Sequence, residues 1–133
     1  MKKILFILSC LFLCSTHSIA EVIKAQGTSF AYATYNDNGY WNDWSDWQDC
    51  SVLVVINTDN DRVNIYSSTP QEYDIYDYDE EQYDPDGSSY VTFQCVDGEG
   101  LRCEMRLRIQ ANGQVQLYID YADIMWVYNV EPK

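Results

Sequence analysis

The stretch Leu101–Ile109, LRCEMRLRI, alternates without a fault. Leu101, Cys103, Met105, Leu107 and Ile109 are apolar, while Arg102, Glu104, Arg106 and Arg108 between them are charged. Successive side chains on a strand point to opposite faces, so a period of two buries one face only if the segment is extended. QVQLYIDY, residues 114–121, repeats the pattern with Val115, Leu117 and Ile119 on its apolar side. Ala111-Asn112-Gly113 between them marks a hairpin. Directly opposed residues share a face, and this selects the register. A two-residue Asn-Gly turn would set Ile109 against Gln116. A three-residue loop pairs Gln110 with Gln114, Ile109 with Val115, Leu107 with Leu117 and Met105 with Ile119. The longer loop is the predicted one, with Gly113 in the left-handed conformation of a bulge.

The same reasoning applies one hairpin earlier. YVTFQCVD carries Val91, Phe93 and Cys95 on one face. A Gly98-Glu99-Gly100 loop pairs Asp97 with Leu101, Phe93 with Met105, and Cys95 with Cys103. In an exported protein, two facing cysteines on neighbouring strands predict a disulfide, Cys95–Cys103, against the alternative of two buried thiols. Cys50 is left over. SVLVVIN and RVNIYS flank the turn Thr58–Asp61, EYDIYDY follows Ser67–Pro70, IMWVYNV ends the chain, and a first strand lies around Thr28–Tyr35. About eight short strands joined by turns predict an all-β antiparallel meander, either a small closed or nearly closed barrel or a two-layer sandwich. Closure removes sheet edges and favours the barrel. In so short a chain, side chains fill most of the interior and leave room for a small ligand at most.

Export is read from the start of the chain. Residues 1–20, MKKILFILSCLFLCSTHSIA, combine two lysines, a short apolar run and small residues at Ser18-Ile19-Ala20, the pattern of a cleaved leader. The run is too short to span a bilayer, which takes about 20 residues. Residues 21–133 then form one β domain in the periplasm or outside the cell, with no membrane insertion of the mature chain. Without Lys2 and Lys3, six of the eight basic residues remain against all 21 acidic ones, a net charge of −15. Such a surface repels phosphate backbones and argues against nucleic acid as a partner. Cleavage also removes His17, the chain's single histidine. Imidazole acid–base catalysis, histidine triads and the usual catalytic zinc sites go with it.

WNDWSDWQDC, residues 41–50, spaces three tryptophans by three. That period fits neither a strand face nor a helix face, and suits an irregular or polyproline-like extended segment. Trp41, Trp44 and Trp47, with Asp43 and Asp46, form a candidate ligand-binding patch, since aromatic rings beside carboxylates suit polyhydroxylated ligands. The competing reading has two of the rings plugging one barrel end. The run Trp-x-x-Trp-x-x-Trp-x-x-Cys-Ser resembles the tryptophan ladder of thrombospondin type 1 repeats, a resemblance that implies interleaving with arginines. It covers Trp41 to Ser51 only; the family's other cysteines are missing and the nearest Arg-x-Arg, Arg106 and Arg108, is far downstream. A broader set of residues is Trp-x-x-Trp before a strand, Gln71-Glu72-Tyr73-Asp74-Ile75, Cys95-Val96-Asp97, Leu117-Tyr118-Ile119 and Met125-Trp126-Val127-Tyr128. This set resembles small exported proteins of gut bacteria, which implies a location and no mechanism.

Residues 77–89, DYDEEQYDPDGSS, are the one long polar run. Asp77, Asp79, Asp84 and Asp86 are candidate calcium ligands, though their spacing is not that of an EF-hand. The alternative is a solvated, mobile loop. Cys50 has no histidine to activate it, and Asp49 raises its pKa. A carboxylate-based hydrolase needs only two acids, but no spacing here singles out a pair. The expectation is a non-enzymatic exported binding module engaging a glycan or protein of the cell envelope at Trp41–Trp47. An envelope structural protein without a small ligand is the alternative.

Overall fold

The structure, a computed structural model, describes residues 22–133; the leader assigned to residues 1–20 lies outside the described residues. Nine strands run in chain order: β1 Val22–Thr34, β2 Gln48–Asn57, β3 Arg62–Tyr66, β4 Gln71–Tyr78, β5 Gln82–Tyr83, β6 Ser89–Asp97, β7 Arg102–Ile109, β8 Val115–Asp120 and β9 Ile124–Pro132. Each long strand pairs antiparallel with its chain neighbours, β1 pairs with β9, and β4 pairs with β6. The result is an eight-stranded closed up-and-down barrel, with β5 continuing the line of β4 along β6. The first strand begins at Val22, six residues before the expected Thr28.

Both three-residue loops are present. Ile109 faces Val115, Leu107 faces Leu117 and Met105 faces Ile119. The Gln110 amide donates to the Gln114 carbonyl at 2.8 Å, and the Asp97 amide to the Leu101 carbonyl at 2.9 Å. Gly113 and Gly100 have φ of 89° and 86°, the left-handed region that glycine enters without a Cβ clash. Alternate residues fill the interior: Val52, Val54 and Ile56 of β2, Val63 and Ile65 of β3, Val91, Phe93 and Cys95 of β6, and Leu107, Met105 and Cys103 of β7.

Cys95 and Cys103 are directly opposed, as predicted, but both are free thiols, which corrects the expected disulfide. The hydrogen-bonded and non-hydrogen-bonded pairs of an antiparallel ladder alternate. The Asp97–Leu101 bond therefore makes Cys95–Cys103 a hydrogen-bonded pair. At such pairs the Cβ atoms sit about 5.5 Å apart, against about 3.8 Å in a disulfide. Burial pushes the Cys95 thiol up to about 12 and the Cys103 thiol up to about 11, so both are packed as neutral apolar groups.

Strand β1 changes phase in its middle. Gly27 faces Val130 of β9 and Ser29 faces Asn129, so Thr28 is one residue too many. Before this bulge Ile23, Ala25 and Gly27 point inward. After it Phe30 packs against the core, and Ala31 and Ala33 are buried on the outside. A Cβ at Gly27 would come within 2.7 Å of Val52 Cγ2 and 3.5 Å of Tyr128 Cδ1. Valine has no flexible end to withdraw, so we expect Gly27→Ala to lower unfolding free energy by about 1–3 kcal/mol through overpacking. The measurement is the urea midpoint, and Val52→Ala in the same chain should recover part of the loss. An unchanged midpoint for the single variant would contradict the close packing.

Candidate functional site: an aromatic edge built by repeated bulges

Beyond the phase change, Phe30, Tyr32 and Thr34 present their backbone groups toward β2 at every second residue. The chain leading into β2 meets them at every third. Gln48 is the partner of Phe30. The Ser45 amide donates to the Tyr32 carbonyl at 2.7 Å, and the Tyr32 amide donates back to Ser45 Oγ at 2.9 Å. The Asn42 amide donates to the Thr34 carbonyl at 2.8 Å, and Asn42 Nδ2 to Thr34 Oγ1 at 2.9 Å. Three residues set against two is a bulge, and here it repeats. The residue after each tryptophan is the anchor, so Trp41, Trp44 and Trp47 occupy equivalent places. This is the physical origin of the three-residue period.

The turn that feeds the segment is equally specified. The Asn36 amide donates to the Tyr40 carbonyl at 2.8 Å, and Asn36 Oδ1 accepts the amides of Asn38 and Tyr40 at 2.9 and 3.2 Å. Trp41 meets Tyr35 edge-on, with ring centroids 5.2 Å apart. Trp44 meets Tyr118 edge-on at 6.3 Å, and the Arg106 guanidinium lies 4.4 Å from the Tyr118 ring centroid. Arg106 in turn pairs with Asp120 at 3.1 Å. Burial pushes the Asp120 carboxyl up, and Arg106 offsets only part of that. Ala31, Val127, Tyr118 and Arg106 form one cross-strand row on the outer face. The small side chains of Ala31 and Ala33 let the segment lie close enough for Trp44 to reach β8.

The tryptophans therefore do not plug the barrel. Trp41, Trp44 and Trp47 are 39%, 42% and 50% exposed, and Tyr40 beside them is 71% exposed. The fold is not that of a thrombospondin repeat. Even so, the distant Arg106 reaches the segment through Tyr118, because β8 lies between β7 and β9. Asp43 and Asp46 flank the rings, and among the described residues their carboxylates accept no hydrogen bond and form no ion pair.

The acidic run is partly paired, and it is divided. Gln82 and Tyr83 pair with Tyr90 and Ser89, and the Asp84 amide donates to the Ser88 carbonyl at 2.9 Å, so part of the run is a short strand and turn. Asp77 accepts the Tyr78 amide and Asp79 accepts Gln94 Nε2, each at 3.0 Å. Asp84 and Asp86 turn instead to Arg108, at 3.9 and 3.2 Å. Among the described residues no three carboxylate, thiol or imidazole groups converge on a metal position, and the calcium reading finds no ligand set. Cys50 is half-buried; burial first, then Asp49, raises its thiol pKa.

Sequence reasoning missed a second concavity, at the barrel mouth, between Gln71 and Tyr73 of β4, Asp97 at the end of β6, Tyr121 beyond β8, and Trp126 of β9. No continuous motif signals it, because its residues come from separate hairpins that only closure brings together. No protein-family model, curated protein or solved structure matches the chain.

Two outcomes follow from this geometry. In Trp126→Phe, which leaves the three edge tryptophans as reporters, emission should be red-shifted and readily quenched by acrylamide. Blue-shifted, poorly quenched emission from folded protein would place the rings in a core. The second concerns Asp86, whose carboxyl Ser88, through hydroxyl and amide, and then Arg108 hold below the ordinary range. A lowered folded pKa contributes stability above the unfolded value of about 3.9, and that contribution is lost as pH falls through the folded value. Asp86→Asn should thus flatten the fall in thermal midpoint below about pH 4, and an unchanged acid limb would remove Asp86 from the account.

Proposed function

We propose that the protein is an exported, non-enzymatic binding module whose Trp41–Trp47 edge engages a glycan of the cell envelope. The observation that carries this reading is the regular display of three half-open indoles beside unpartnered Asp43 and Asp46. Each repeat advances two residues along β1, so neighbouring anchors are roughly 7 Å apart. Equal steps suit a chain-like ligand that offers the same apolar face and hydroxyls repeatedly. Rings fixed by Tyr35, Tyr118 and the Asn42 and Ser45 anchors lose little freedom on binding. The absence of histidine from residues 21–133 favours binding over acid–base catalysis.

Co-sedimentation with purified peptidoglycan and with cell-surface polysaccharide fractions tests the reading. Trp47→Ala should weaken retention about tenfold, the loss of one well-placed aromatic contact, with little change in thermal midpoint. Trp44→Ala should weaken both, since its ring also braces the outer face. Retention indifferent to all three tryptophans would sink the glycan reading. Co-purification of an envelope protein with no glycan binding would transfer the edge to a protein partner.

A further inference from the structure

The mouth cleft, about 660 Å³, differs in chemistry from the edge. Its wall is a stacked pair, Tyr121 and Trp126, with centroids 5.6 Å apart and planes 25° from parallel. Trp126 also borders a neighbouring cleft with Phe30, Tyr32 and Tyr128, so the indole is approachable from two sides. Beneath it the polar groups satisfy one another: Tyr73 donates to Gln71 Oε1 at 2.6 Å, and Gln71 Nε2 donates to the Tyr128 hydroxyl at 3.3 Å. Glu72, Asp97 and Glu99 are among the residues that line the cleft, and among the described residues its lining includes no lysine or arginine. Asp97 is held as an anion. Tyr121 donates to it at 2.6 Å, and the amides of Glu99 and Leu101 donate at 2.9 Å each. Three of the four arginines are in ion pairs elsewhere, Arg62 with Asp74, Arg106 with Asp120, and Arg108 with Asp84 and Asp86, and the fourth, Arg102, alternates with inward Cys103 and lies on the outer wall 5.8 Å from the Tyr76 ring centroid.

A concave site walled by aromatic faces, with an acidic rim that no ion pair among the described residues neutralises, concentrates positive charge. Ring faces attract a cation directly, tryptophan most strongly. An anionic ligand would be repelled. A neutral sugar could stack on Trp126, but it would leave the carboxylates without a counter-charge. We propose that the barrel mouth binds a small organic cation, an ammonium group on a compact apolar body, lodged between the Tyr121–Trp126 wall and the acidic rim to which Glu72, Asp97 and Glu99 belong. The site is separate from the tryptophan edge and does not depend on what that edge binds.

The test compares choline with 3,3-dimethyl-1-butanol, which has the same shape without the charge. Trp126 is the reporter in a chain carrying Trp41→Phe, Trp44→Phe and Trp47→Phe, at fixed ionic strength. Choline should change its emission saturably, with affinity about tenfold or more above the neutral alcohol. Glu72→Gln with Glu99→Gln should weaken choline about tenfold and leave the alcohol unmoved. Among the described residues neither side chain takes part in a hydrogen bond, so this pair spares the Asp97 turn. Should the triple substitution fail to fold, the indole N–H resonance of Trp126 in the unsubstituted protein gives the same comparison. Equal affinities for the two probes would reduce the site to an apolar cleft, and no saturable response to choline would overturn the proposal.

Discussion

The ladder between β4 and β6 is the interaction on which the rest of the structure depends. Tyr73 faces Asp97, Ile75 faces Cys95 and Tyr78 faces Phe93, joining the two ends of the meander. Without it the sheet would present two long unpaired edges, each a template for association. With it, every long strand has two partners and the inward row of each meets that of the next. Tyr78 adds an edge-on contact with Phe93, centroids 5.5 Å apart, beside the seam. Closure also sorts the connections. The 35–47 segment and the turns after β3, β6 and β8 all fall at one end, where the aromatic edge and the mouth cleft lie.

The strands and two registers were legible because period two allows no compromise. Shifting Ile109 by one residue would have exposed Leu107, Met105 and Cys103 together. The local sequence could not distinguish barrel from sandwich, since closure is decided by β4 meeting β6, strands whose alternation is the same in either architecture. The cysteines divide the lesson. Their pairing across the ladder was readable from the loop length, while their chemistry turned on whether the pair is hydrogen-bonded. The tryptophan period was visible and its cause was not, because the partner that sets it, Phe30 to Thr34, lies outside the motif. The acidic run looked uniform, yet Arg108 from a later hairpin separates Asp84 and Asp86 from Asp77 and Asp79.

The large negative charge is thus unevenly answered. The paired arginines sit along the barrel wall and at the end opposite the mouth, where Arg108 gathers Asp84 and Asp86. Arg102, whose guanidinium lies 5.8 Å from the Tyr76 ring centroid, is spent on an aromatic face. The mouth end keeps carboxylates at Asp43, Asp46, Asp97 and Glu99 that, among the described residues, no arginine pairs. Charge of one sign at one end costs self-repulsion in the free protein, and relief of that repulsion is available to any ligand that brings positive charge.

The tryptophan edge and the small cleft on the β1 side of Trp126 share a single structural cause, the extra residue at Thr28. By changing the phase of β1 it turns Phe30 and Tyr32 inward and Ala31 and Ala33 outward. Tyr32 then serves two places: its backbone exchanges two hydrogen bonds with Ser45 beneath the tryptophan edge, and its side chain borders the small cleft beside Trp126 that adjoins the mouth cleft. The alanines do the complementary work outside, since a bulky side chain at either position would lift the 41–47 segment away from Tyr118. In the unshifted phase, aromatic rings would stand on the outer face under that segment and small side chains would line the mouth. Neither the tryptophan edge nor that small cleft would form, although the barrel's hydrogen-bond ladder could still close.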